Sequence, residues 1–114
     1  MAQLTIDLVF ESRWRSLMAD MEKRFGMPTD LDGMLFLIGV QELGQHGRIF
    51  TKDEKIGLMH IAIAVVLGPY GYYKPTGRDE DGWPHFGKVQ ELPALNAEEQ
   101  ERLIKEAILA YFSR

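Results

Sequence analysis

The stretch PYGYYKPTGRDEDGWPHF, residues 69–86, gathers side chains that could recognise or transform a small molecule. Tyr72, Tyr73 and Trp83 can wall a cleft, and Lys74, Arg78, Asp81 and His85 can supply its polar contacts. His85 is the best candidate base in the chain, with Asp81 or a tyrosine as its partner, because an imidazole titrates near neutrality and works only beside a second polar group. The same rings have a structural alternative, in which they pack onto helix edges and plug the crossing. The acidic run Asp79-Glu80-Asp81-Gly82 does not make a calcium loop: with Gly82 at the sixth loop position, Gly77 and Lys88 fall where the first and last carboxylates are required.

Glu42, His46 and His60 interrupt apolar stripes inside helical segments. Glu42 continues the Leu35-Ile38 face with His46 one turn on, and His60 lies between Ile56 and Ile63. Glu42 and His60 are expected as buried polar groups, which must be hydrogen-bonded, shifted in pKa or bound to metal. Glu42 and His46 are the candidate metal ligands, but neither HExxH nor a pair of ExxH helices accompanies them, so no metal or other cofactor is expected. In a helical hairpin folded about residues 48 and 49, the axial offset of Glu42 from His60 is about 7 Å, a contact only long rotamers would allow. Ser12, Ser16 and Ser113 have no GxSxG context, and no glycine-rich phosphate loop follows a strand.

The chain around these residues has 114 positions, 46% of them hydrophobic, which suits one globular domain over residues 1–114 with a real core. It has no cysteine, which removes disulfides and thiolate chemistry and fits a reducing, cytoplasmic setting. The formal net charge is -4 and no lysine or arginine stripe is visible, so a nucleic acid partner is not expected. The most apolar run, IGLMHIAIAVVLGPY, falls short of the roughly 20 residues that cross a bilayer. The opening MAQLTIDLVFESRW lacks the layout of a secretory signal, and no membrane association is expected.

Four helices must position the candidate residues. Phe10, Trp14, Leu17, Met21 and Phe25 recur at helical spacing and predict a helix over residues 7–25, which Gly26 stops. Residues 3–9 also alternate like a strand, although helix or an extended arm is favoured for want of a strand partner. A capping box with Thr29 at the N-cap and Asp32 at N3 predicts a helix over 30–46. Thr51 with Glu54 predicts one over 52–67, and Asn96 with Glu99 one over 97–112. The short connection between the second and third helices makes them an antiparallel hairpin.

Residues 69–95 then form one long crossover, a length that is uncommon in compact domains and is often that of a binding or lid loop. The expected architecture is all-α, a small four-helix domain with a buried central hairpin and an aromatic crossover loop. The expected function is a non-catalytic module that binds a protein or a small ligand. A small enzyme using the acid-base groups of the loop is the alternative. Because the two central helices are apolar around most of their circumference, a homodimer or a protein partner is expected to cover them.

Overall fold

In the computed structural model, residues 2–26, 29–45 and 47–113 are described, and they form four helices and one two-stranded sheet. The order is α1 (Ala2–Phe25), α2 (Leu31–Leu43), α3 (Lys52–Leu67), β1 (Tyr73–Arg78), β2 (Pro84–Lys88) and α4 (Ala97–Phe112). One 3-10 turn, Gly68–Tyr70, follows α3. The all-α expectation is therefore wrong: the fold is mostly helical, but its supposed crossover loop holds an antiparallel β-hairpin. No helix among the described residues is long and apolar enough to cross a membrane.

The helix ends follow from local chemistry. Thr51 and Glu54 cap α3 reciprocally, as do Asn96 and Glu99 at α4, each pair satisfying two backbone N–H groups that the first helical turn leaves open. At α2 the cap is Asp30 rather than Thr29: its carboxylate accepts the Gly33 N–H at 2.8 Å, while Thr29 is buried. α2 also stops at Leu43, short of residue 46, because Gly44 turns left-handed (φ 79°) and gives its N–H to the Val40 carbonyl. α1 begins at Ala2, so residues 3–9 are helical rather than strand or arm.

The β-hairpin forms where the chain reverses twice on glycine. Gly71 (φ 88°) turns the strand out of the 3-10 segment, and Gly82 (φ 84°) sits in the turn between strands, its N–H bound to the Asp79 carbonyl at 3.0 Å. Tyr73 pairs with Lys88, Pro75 with Phe86 and Arg78 with Pro84, and a bulge at Thr76 shifts the register between Pro75 and Gly77. A two-stranded sheet has two edges, so Pro75 and Pro84 are tolerated in it.

α2 and α3 are the central pair, and they touch backbone to backbone. A Cβ placed on Gly39 would lie 2.2 Å from the Leu58 carbonyl oxygen, so only glycine allows this approach. The pair of Gly39 with Leu58 is the register of a hairpin folded about residues 48 and 49. On one side, Met34, Leu35, Ile38, Ala62 and Val66 join Phe10, Trp14 and Met21 of α1 and Ala107, Ile108 and Leu109 of α4. On the other, Leu43, Phe50, Leu58 and Ile61 receive Trp83 and Phe86 from the β-hairpin. α1 packs mainly along α4, with Lys105 Nζ 5.3 Å from the Trp14 ring centre and Arg102 over Phe10 at 4.6 Å.

Three substitutions rank these forces. Trp14→Ala is expected to cost about 3–5 kcal/mol, since the ring is 8% exposed and fills the main core. Gly39→Ala is expected to cost about 3 kcal/mol or more, because α2 and α3 would have to separate. Thr51→Ala, which removes one cap, is expected to cost about 1 kcal/mol. Urea melts that placed the Thr51 change above either of the others would contradict this packing.

Candidate functional site

The turn between β1 and β2 is organised by one carboxylate. Asp79 Oδ1 accepts the backbone N–H groups of Asp81 and Trp83, both at 3.0 Å, and the Asp79 N–H reaches the Trp83 carbonyl at 3.0 Å. The other carboxylate oxygen, Oδ2, lies 3.0 Å from His85 Nε2. The His85 contact first, and the Trp83 N–H next, hold the Asp79 carboxyl below the usual carboxylate range.

Side chains fasten this turn to the C-terminus of α2. Arg78 donates from Nη2 to the Glu42 carbonyl at 2.9 Å and from Nη1 to the Gly82 carbonyl at 2.7 Å, with the Leu43 carbonyl at 3.4 Å from Nη1. The last carbonyls of a helix lack intrahelical partners and carry its negative end, so a guanidinium is well matched to them. Gln45 Nε2 adds a bond to the Asp81 carbonyl at 3.0 Å. Trp83 then lies edge-on to Phe50 at 6.5 Å, its ring beside Gly57 of α3. Arg48 covers Phe50 at 4.8 Å and is itself held by Gln45 and Glu54.

Between α3 and the hairpin lies a hollow of about 630 Å³. His60, Ile61, Ile63 and Ala64 of α3 form one wall, Tyr73, Pro84 and Phe86 the other, and Asp79, Trp83 and His85 line its turn end. A second hollow of about 610 Å³ includes Glu42, Val65, Lys74, Pro75 and Arg78, and shares Ala64, Tyr73, Pro84 and Phe86 with the first.

Of the residues singled out from the sequence, Tyr73, Trp83 and His85 meet at the first hollow, while Lys74 and Arg78 belong to the second. Tyr72 is half-buried against the main core. Asp81 is exposed, and the carboxylate beside His85 is that of Asp79, a residue the sequence reading did not select. An aspartate three residues before a glycine is the turn signal that could have found it. His60 is exposed at the edge of the hollow rather than buried: Ile56, one turn before it, is 45% exposed, so this part of α3 faces water, while Ile63 further along packs against the main core. Glu42 is half-buried and accepts the Tyr111 hydroxyl at 3.0 Å, a partner on α4 rather than His60. His46 lies outside the described residues, and among those described no three histidines, aspartates or glutamates come together as a metal site.

No family model matches the chain. Nor does any curated protein or solved structure. The functional reading therefore rests on the geometry of the hollow and on the groups that line it.

The Asp79 linkage has a definite sign. Its folded pKa is depressed, so its contribution to stability is present above the unfolded value of about 3.9 and is lost as pH falls through the lower folded value. Asp79→Asn is expected to melt below the wild type at pH 7, with the gap narrowing below about pH 4. Thermal melts at both pH values check this, and a gap that widens in acid would show that Asp79 does not act as a charged turn anchor.

Proposed function

We propose that the protein is a small-ligand-binding module and that the hollow between α3 and the β-hairpin is its site. The observation that carries this reading is the convergence of two imidazoles and a phenol, His60, His85 and Tyr73, on a space walled by Ile63, Trp83 and Phe86. Its volume, about 630 Å³, is in the range of small-molecule sites, which combine apolar walls with a few placed polar groups. The aromatic residues face a concavity, which favours a small ligand over a protein docked on a convex surface.

A fragment and metabolite screen read by NMR tests it. Compounds that bind are expected to shift the Trp83 indole and the His60 and His85 rings together. His60→Ala, a change at an exposed position, is expected to weaken them about tenfold, or about 1.4 kcal/mol. Binders that move only the Lys74 and Glu42 signals, or none across a broad screen, would set the reading aside.

A homodimer is the second reading, and it attaches to a different surface from the one the sequence suggested. The central helices are largely covered, whereas Leu8 and Val9 of α1 are 62% and 55% exposed and Phe25, at the other end of that helix, 52%. Adjacent apolar side chains such as Leu8 and Val9 fit a self-associating patch. Sedimentation at micromolar concentration is expected to give the mass of two chains, reverting to one in Leu8→Glu/Val9→Glu; a single-chain mass for the wild type would exclude the dimer.

A further inference from the structure

We propose that the ligand of this hollow is a weakly acidic hydroxyl compound, a phenol or enol on a flat apolar frame, and that it gives its proton to His85. The inference rests on the reading of the hollow as a ligand site and adds the class of ligand. It starts from the valence of Asp79. That carboxylate already accepts three N–H groups, two from the backbone at 3.0 Å and one from His85 at 3.0 Å, so it is committed to the protein.

A carboxylate can only accept, so His85 Nε2 must carry the hydrogen of that bond, and in the neutral ring Nδ1 is then a lone pair. Nδ1 has no hydrogen-bond partner among the described residues, and the side chain is 60% exposed at the edge of the hollow. The geometry thus fixes one tautomer and leaves one basic nitrogen for a ligand. Asp79 is a positioning residue in this scheme: it orients the ring and stabilises the imidazolium once the proton arrives.

The remaining lining suits the anion that forms. Asp79 is the only carboxylate among the described residues of this hollow; the other ionisable groups facing it are His60 from α3 and Tyr73 from β1. Both can donate a hydrogen bond to polar groups of a ligand, Tyr73 from the end of the hairpin opposite His85, and Trp83 and Phe86 offer flat surfaces to a ring. In the step itself the ligand O–H bond breaks, the proton bonds to Nδ1, and the electron pair stays on the ligand oxygen. The product is an imidazolium and phenolate pair with Asp79 behind the cation, and no oxidant or reductant is involved.

4-Nitrophenol is the probe, because its phenolate has a visible absorption that its phenol lacks. With the pH set at the probe's own pKa, where half of it is still phenol, adding the protein is expected to raise the phenolate band while the Trp83 indole signal shifts. His85→Gln is expected to keep the Trp83 shift and lose the phenolate. Asp79→Asn is expected to move the pH midpoint of bound phenolate formation up by about one unit, and Asp79→Glu to restore much of it, a pattern that a merely structural role would not produce. Bound probe that stays neutral, or phenolate that survives in His85→Gln, would overturn the proposal. A probe that leaves Trp83 untouched while other fragments still bind the hollow would overturn it too, and the ligand-site reading would stand.

Discussion

The Leu58 carbonyl occupies the space where any side chain at residue 39 would have to be. Because position 39 is glycine, α2 and α3 meet backbone to backbone, and everything else is arranged around that contact. The close approach leaves two apolar faces pointing in opposite directions. One is roofed by α1 and α4 and the other by the β-hairpin, so neither cluster could close if the central helices stood a methyl group further apart.

The β-hairpin has little of the support that usually holds a sheet. It has two strands, four of its eleven residues are proline or glycine, and most of its positions are open to water. A hairpin of this kind is marginal by itself. Its order comes from lateral ties: Trp83 and Phe86 inserted beside Phe50 and Leu58, Arg78 on the carbonyls that end α2, and Gln45 on the turn. The charged ties are exposed and individually weak, so the two aromatic anchors carry most of the docking energy and the polar groups set the angle. The hollow is the gap that remains when a flat ribbon is pinned near its tip against a round helix.

The caps of α3 and α4 were legible in the sequence because they are local events, whereas at α2 two adjacent candidates, Thr29 and Asp30, competed and the structure uses Asp30. Thr51 with Glu54 and Asn96 with Glu99 are complete within four residues, and the glycine stop after α1 is equally short. Legibility failed where the deciding partner is distant. Glu42 finds Tyr111 69 positions away, and His60 is exposed at the rim of the hollow that the β-hairpin leaves open against α3. The strands were hidden for another reason: Pro75, Gly77, Pro84 and Gly87 argue against strand, and the bulge at Thr76 breaks the alternation by which a strand is recognised. The candidate site was legible as a region and as Tyr73, Trp83 and His85. The choice of Asp79 over Asp81 turns on which carboxylate stands at the head of a four-residue reversal, a signal that the spacing of Asp79 and Gly82 carries and that the turn's hydrogen bonds bear out.

Ala64, Tyr73, Pro84 and Phe86 line both hollows, so the ribbon between them is a shared partition and not the private wall of either. An occupant of one hollow that displaced the Phe86 ring would reshape a wall of the other. Any coupling between the two hollows would run through these shared side chains without a change in the helices, and it would be reciprocal: an occupant of the first would act on the second as strongly as the second on the first.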